Sequence, residues 1–262
     1  MLARSGEALA ALDARLRSVY LSDGVAYFDE AEKSDKRSFY EIIKPALSAL
    51  IAERVHIRAL EFGAGRTRFS QWLKEIGRRD AIHFTAQDVT PTNRDYLAEQ
   101  CDDVIVGELT DVNLQFDFIF STFVYEHLVY PKATIGHCLR ILRPGGILFI
   151  VSPQYTMPGY IPPALRHLPR WKQIGANAFL VLSSLLAKLT RRPQFWIAKE
   201  PAVFSRPFRR DYDAVHMVSK GDLDSFTRTS CEPVAITLPK SGGWRGYVWL
   251  RFAMLIAAYR KR

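Results

Sequence analysis

The chain has 262 residues, 48% of them hydrophobic, and carries a formal net charge of +9 with a pI near 9.5. That length holds one full-sized domain with an insertion, and the composition excludes a fibrous, low-complexity or disordered chain. Its three cysteines, Cys101, Cys138 and Cys231, are far apart and fit neither a disulfide framework nor a metal knuckle, so a reducing, cytoplasmic compartment is expected.

Residues 1–55 read as a helical cover. An amphipathic helix is expected from Leu2 to Tyr20, with Leu2, Leu9, Leu12, Leu16 and Val19 or Tyr20 on one stripe. No cationic stretch followed by an apolar run opens the chain, so no signal peptide is read there. A second helix follows from Ser38 to Arg54, kinked at Pro45. Next comes a short apolar strand from Ile57 that carries Glu61, then the tight turn Gly63-Ala64-Gly65 and a helix from Thr67. Gly63 and Gly65 have no Cβ, so a ligand can approach bare backbone, and the helix N-terminus faces it with free N–H groups. The pattern points to a nucleotide-like cofactor at the first strand–helix turn of an α/β sheet. A dinucleotide fingerprint needs a third glycine three residues after the second. Arg68 stands there, which speaks against a nicotinamide enzyme.

The strand from Ala81 to Gln87 ends at Asp88. A carboxylate at that point can accept hydrogen bonds from both ribose hydroxyls, or it can cap the segment opening at Pro91. A helix from Thr92 to Gln100 leads to the strand Val104–Val106, with Glu108 just beyond. Phe116 to Thr122 reads as a buried parallel strand, followed by Tyr125-Glu126-His127. A helix from Pro131 to Leu142 is stopped by Pro144-Gly145-Gly146, which reverses the chain into a strand Ile147–Val151 ending at Ser152-Pro153.

Taken together, these motifs resemble the class I S-adenosylmethionine (SAM)-dependent methyltransferases of small molecules. The residues that carry the likeness are Glu61-x-Gly63-x-Gly65, Asp88, Phe116-Asp117-x-Ile119, Glu126-His127-Leu128 and Leu139-Arg140-x-Leu142-Arg143-Pro144-Gly145-Gly146-x-Leu148. The resemblance spans 57–153 and implies an α/β fold, a doubly wound, mostly parallel seven-stranded sheet. Residues 56–153 would form its SAM-binding core, 154–218 a helical, basic insertion, and 219–262 a helix and strand pair completing the sheet. S-adenosyl-L-methionine is the implied cofactor, surrounded by Glu61, Gly63, Gly65, Asp88, Glu108, Ser121 and Thr122. The leading helices would cover it near Lys36, Arg37 or Tyr40. Thr67 departs from the family, where a third glycine is common. Some members hold a metal with the Glu-His pair and a carboxylate four residues before the histidine. Phe123 stands at that place, so no metal is expected.

His127 follows the fourth strand at the carboxyl edge of the sheet. An imidazole there is the candidate base for an acceptor that must lose a proton, because its usual pKa suits proton transfer near neutrality. Glu126 would orient it or contact the acceptor; capping and packing of the next helix is the alternative role for both. Tyr125, Tyr155, Tyr160 and His167 are the secondary acceptor-pocket candidates.

Ten arginines and lysines lie between Tyr160 and Arg210 against one acid, Glu200, so this segment accounts for the whole excess charge. It reads as a loop from Tyr155 to Pro169, an apolar helix from Trp171 to Leu189 that is too short to span a bilayer, and an irregular stretch to Arg210. An anionic membrane surface is the expected partner, with a lid or dimer contact as the alternative. Ser219 and Asp222 open a helix to Arg228. Val234–Leu238 and Tyr247–Tyr259 would be the last strand pair, turning at Ser241-Gly242-Gly243. The expected activity is methylation, at oxygen, of a small or lipid-linked acceptor such as a glycan or lipid intermediate, at the inner face of a membrane. Nucleic acid is disfavoured as a partner, because Ser121-Thr122-Phe123-Val124 stands where base-methylating enzymes carry an Asn-Pro-Pro-Tyr-like motif. A non-catalytic SAM-binding or scaffold protein is the alternative class, and an RNA methyltransferase, whose phosphates the positive charge would serve, is the alternative among enzymes.

Overall fold

The structure is a computed structural model, which describes residues 2–3, 7–22, 36–206, 209, 211–238 and 243–262. The chain opens with β1 (Leu2–Ala3), α1 (Glu7–Ser22) and α2 (Arg37–Glu53). An alternating core follows: β2 (Ile57–Phe62), α3 (Phe69–Glu75), β3 (Ile82–Asp88), α4 (Arg94–Gln100), β4 (Asp103–Val106), β5 (Phe116–Thr122), α5 (Pro131–Ile141) and β6 (Leu142–Pro153). The remainder is α6 (Arg170–Thr190), β7 (Ile197–Ala198), α7 (Lys220–Thr227), β8 (Cys231–Pro233), α8 (Gly243–Val248) and β9 (Met254–Lys261).

Seven strands make the main sheet in the order β4-β3-β2-β5-β6-β9-β8. β2 pairs in parallel with β3 on one side and β5 on the other, so the chain winds outward in both directions from it. That reversal leaves a crevice beyond the carboxyl ends of β2 and β5, the place where open α/β sheets bind ligands. β9 runs antiparallel to both β6 and β8 and closes the sheet.

Both faces of the sheet are covered, which is why its strands are apolar almost without alternation. Leu60, Phe62, Ile119, Leu148 and Ile150 face one cluster, while Ala59, Phe84, Phe118, Phe120 and Phe149 face the other. On the second face Phe69 of α3 sits 4.4 Å from Phe120 and 5.1 Å from Phe84, and Tyr40 of α2 closes over Phe69 at 5.3 Å. The glycine turn is thus held between a rigid aromatic cluster and the strand that feeds it.

Asp117 explains the Pro-Gly-Gly run. The expected reversal is instead a bulge: α5 ends at Ile141 and β6 begins at Leu142, with Phe116 paired to Leu142 and Phe118 to Ile147. The extra residues lap over the buried Asp117, which accepts from Arg54, from Arg143 Nη1 at 3.0 Å and from the Arg58 N–H at 2.8 Å. Gly145 has a φ of +74°, and a Cβ on Gly146 would lie 2.8 Å from the Asp117 carbonyl oxygen, so the backbone approach there demands glycine.

Three further expectations change. Leu2 pairs with Ala198 in a two-stranded ribbon and does not join the α1 stripe, although Leu9, Leu12 and Leu16 are buried as expected. Residues 234–238 are not a strand, and 243–253 are helical: β6 ends at Pro153, paired with Met254, so Tyr247 to Ala253 have no strand beside them to complete. Ser241 and Gly242 of the expected turn lie outside the described residues. Finally, α6 has the length and composition of a membrane span, with a mean hydropathy of 1.2, which the sequence reading denied. One side of it packs on the domain through Ala176, Leu180, Ser184 and Ala187. The other side leaves Trp171, Ile174, Leu182, Leu185, Leu186 and Leu189 exposed.

Candidate active site

β2 delivers Glu61 and then bends sharply at two glycines with positive φ, +63° at Gly63 and +56° at Gly65. A Cβ on Gly63 would strike Val124 at 2.5 Å, whereas one on Gly65 would meet nothing within 4 Å. Gly63 is therefore a packing glycine, and Gly65 borders open space. Thr67, the departure from the family pattern, is put to work as a cap: its Oγ1 accepts from the Phe69 N–H at 3.1 Å at the start of α3. Its carbonyl accepts from Tyr96 Oη at 2.9 Å.

Asp88 stands beside this turn. Its Oδ2 accepts from the Gly65 N–H at 2.9 Å and its Oδ1 from the Thr90 N–H at 3.2 Å, so it both braces the turn and caps the next segment. Each oxygen keeps a lone pair for a further donor. Burial pushes the Asp88 carboxyl above its ordinary value, opposed by those backbone N–H groups and by the charge of Lys36. Glu61 is wholly buried and neither of its oxygens closes a full hydrogen bond within the described residues. Burial pushes its pKa up to about 7, with Lys36 and the Thr67 and Thr122 hydroxyls opposing. Ser121 and Thr122, at the end of β5, bury hydroxyl oxygens that have no partner among the described residues. Glu108 lies beyond β4, where Arg17 of α1 holds it at 2.6 Å.

The second half of the site follows β5. Phe123 adopts a φ of +60° and turns the chain into Tyr125-Glu126-His127. Glu126 is fully buried; Ser152 Oγ donates to its Oε2 at 2.8 Å, while Oε1 has no hydrogen-bond partner among the described residues and lies 4.0 Å from His127 Nε2. The opposite ring nitrogen, Nδ1, lies 2.9 Å from Oδ2 of Asp213, a buried acid whose Oδ2 also accepts from Tyr20 of α1 at 3.0 Å. Burial alone would lower the His127 pKa, but Asp213, Glu126 and Asp211 together hold it up at about 10. The expectation of an imidazole poised near neutrality is corrected: three acids surround the ring and keep it charged. Glu126 is itself raised to about 7 by burial, against the pull of His127. Asp213 is held low: burial would raise it, and His127 overrides that.

The secondary candidates separate. Tyr155 is wholly buried, stacks on Tyr160 at 5.7 Å and feels the charges of Glu126, Asp211 and Asp213, which adds to burial in holding its hydroxyl well above the usual value. Tyr160 in turn meets the edge of Trp249 at 5.9 Å. Tyr125 points into the core, edge-on to His216 at 4.6 Å. The His167 ring bonds to Ala164 O at 3.0 Å within its own turn. Asp213 and Asp211 were missed in the sequence reading because they lie in the irregular stretch after Arg210, with no motif to mark them.

An acid-and-glycine turn, an acid at the end of the next strand and a buried charged cluster at the sheet's carboxyl edge are arranged as in a class I SAM-dependent methyltransferase, and the chain belongs to that family: a methyltransferase-domain profile matches residues 17–189. The cofactor is S-adenosyl-L-methionine. The ubiquinone biosynthesis O-methyltransferase of Rhizobium leguminosarum bv. trifolii is 23% identical over 171 residues, or 60% of this chain and 66% of the relative. That of Rhizobium etli is 24% identical over 182 residues, 62% of this chain and 71% of the relative. Among solved structures, the plantazolicin methyltransferase BamL superposes with a TM-score of 0.53 at 13% identity, covering 97% of both chains. The 1,6-didemethyltoxoflavin-N1-methyltransferase of Burkholderia thailandensis superposes with a TM-score of 0.52 at 14% identity, covering 95% of this chain and 89% of that one. Those two likenesses concern the fold.

Proposed function

We propose that the chain transfers the SAM methyl group to an oxygen of a small or lipid-linked acceptor. The observation that carries this reading is the Glu126–His127–Asp213 arrangement, in which one ring nitrogen is committed to Asp213 and the other faces the side of the pocket lined by Glu126. The names of the two curated relatives, both O-methyltransferases, support it.

Glu61, Gly63, Gly65, Asp88, Ser121 and Thr122 suit the cofactor. Gly65 opens on free space, and the buried polar atoms of Glu61, Ser121 and Thr122 await partners. Glu108 takes the place beyond β4 where the adenine would lie. When bound, SAM supplies an electrophilic methyl group on a sulfonium centre. The protein's part is to hold the acceptor in line with that group and to keep water out. Asp213 fixes the His127 ring, Ser152 fixes Glu126, and Tyr155, Tyr160 and Trp249 close the pocket's outer side.

A lipid-linked acceptor, met at the inner face of an anionic membrane, is favoured by a second observation. The exposed side of α6 and the exposed Trp244, Trp249 and Phe252 are apolar, and Trp249 meets Tyr160 of this outer wall. Arg170 and Lys172 begin α6, and Arg191 and Arg192 end it. Arginine and lysine around exposed apolar side chains suit lipid headgroups over acyl chains better than they suit nucleic acid.

Methyl transfer from isotope-labelled SAM into phenolic, polyol and lipid-extract acceptors, with carbon NMR of the product, tests the reading. A methoxy product that His127→Gln abolishes is expected. A product methylated at nitrogen, or transfer undiminished in His127→Gln, would overturn it.

A further inference from the structure

We propose that Glu126, His127 and Asp211 form a binding site for a divalent transition-metal ion of the Zn²⁺ or Mn²⁺ kind, placed to take the acceptor's oxygen as an additional ligand. The inference deepens the O-methylation reading and rests on it for the role of the ion, though not for its binding. Phe123 stands where a metal-holding carboxylate would be expected, so no metal is expected from the sequence alone. The fold brings a different carboxylate to the place, from the stretch after α6. One ligand atom from each of Glu126, His127 and Asp211 lies within 4.8 Å of the others.

The set has the features of a built site and not only of an acidic cluster. Glu126 Oε1 is fully buried with no hydrogen-bond partner among the described residues, and it is turned towards His127 Nε2 at 4.0 Å. A buried carboxylate oxygen in that state costs free energy unless a cation or donor meets it. Around the ligands, a second layer is already in place. Asp213 lies 2.9 Å from His127 Nδ1 and so directs Nε2 inward, the carboxylate–histidine pairing found behind metal-binding imidazoles. Ser152 occupies Glu126 Oε2 and leaves Oε1 for the shared space.

The ion takes the place of the proton on His127 Nε2, which is released to solvent as the metal binds. One imidazole nitrogen with two carboxylates suits Zn²⁺ or Mn²⁺ better than Mg²⁺ or Ca²⁺, which favour oxygen alone. Three protein ligands leave at least one position open. Bonds of about 2.1 Å place tetrahedral ligand atoms about 3.4 Å apart, so closure on the ion takes about 1 Å of side-chain movement. An acceptor hydroxyl bound at the open position would become more acidic and release its proton to solvent as it binds; its oxygen would then bond to the SAM methyl carbon while the carbon–sulfur bond breaks and S-adenosylhomocysteine leaves.

Calorimetric titration of Zn²⁺ into metal-stripped protein, with metal content measured after dialysis, tests the site. The wild type should retain a single Zn²⁺ per chain, and Glu126→Gln and Asp211→Asn should each weaken binding at least about tenfold. Asp211 is half-exposed, so its variant keeps the fold, and a thermal unfolding curve checks both variants. S-adenosylhomocysteine (SAH) binding is measured on the same samples. No Zn²⁺ uptake by a wild type that binds SAH, or uptake unchanged in both variants, overturns the metal site alone. Metal uptake with no SAH binding and no methyl transfer leaves the metal site standing and removes the methylation reading.

Discussion

The Gly65 N–H donates to Asp88 Oδ2 at 2.9 Å, so the acid expected to receive the ribose also holds the shape of the glycine turn. The proposed ribose contact and the geometry of the turn therefore share one carboxylate. The two glycines of that turn should respond differently to a methyl group.

Gly65→Ala meets no neighbour, and its only folding cost is the positive φ, about 1–2 kcal/mol. Its Cβ would stand in the space assigned to the cofactor, so SAH affinity should fall by more than tenfold, while the denaturation midpoint falls only by that backbone cost. Gly63→Ala adds a 2.5 Å clash with Val124 to a similar backbone strain, so its main effect should be on stability. Paired denaturation and binding curves for the two variants check this. Equal losses of binding and stability in both would refute the assignment.

Cofactor affinity should depend on pH through Glu61. In the free protein burial holds this carboxyl at about 7, against about 4.3 unfolded. Its folded pKa is raised, so between those values the folded chain binds more protons and stability falls as pH rises, levelling above about 7. A cationic ligand favours the ionised form. At pH 6 only about a tenth of Glu61 is ionised, so SAM should bind up to about tenfold more weakly than at pH 8. Glu61→Gln should flatten that dependence, as calorimetry across pH 5.5–8.5 would report.

Asp213→Asn should separate positioning from binding. The amide keeps the shape but weakens the hold on His127 Nδ1. Methyl transfer should slow by about 10²-fold, with SAH affinity unchanged. A change in cofactor affinity of the same size would show that Asp213 acts on the fold as a whole.

The exposed side of α6 predicts binding to anionic vesicles. Leu185→Asp with Leu189→Asp, or Arg191→Glu with Arg192→Glu, should abolish co-sedimentation without lowering the unfolding temperature, since all four side chains are exposed. Wild-type protein that stays in the supernatant at low salt would refute it.

The core strands, the glycine turn and Asp88 were legible in the sequence because each is a local pattern: an apolar run, two glycines, an acid at a strand end. What escaped was set by contacts distant in sequence. Asp213 and Asp211 carry no motif and reach His127 only because the stretch after α6 folds back over the end of β5. Pro144-Gly145-Gly146 reads as a turn, yet the buried Asp117 with Arg54 and Arg143 converts it into a bulge. Tyr247 to Phe252 have strand composition, but the sheet offers them no edge.

The account's central claim is that the Glu61–Gly65 turn and Asp88 hold the cofactor, and one calorimetric experiment tests it most directly: titration of SAH into wild type and Asp88→Ala side by side. Saturable binding by the wild type, weakened at least about tenfold or about 1.4 kcal/mol by the substitution, is the predicted result. Equal affinity in the two proteins would contradict the site, and no binding by a folded wild type would contradict the cofactor assignment.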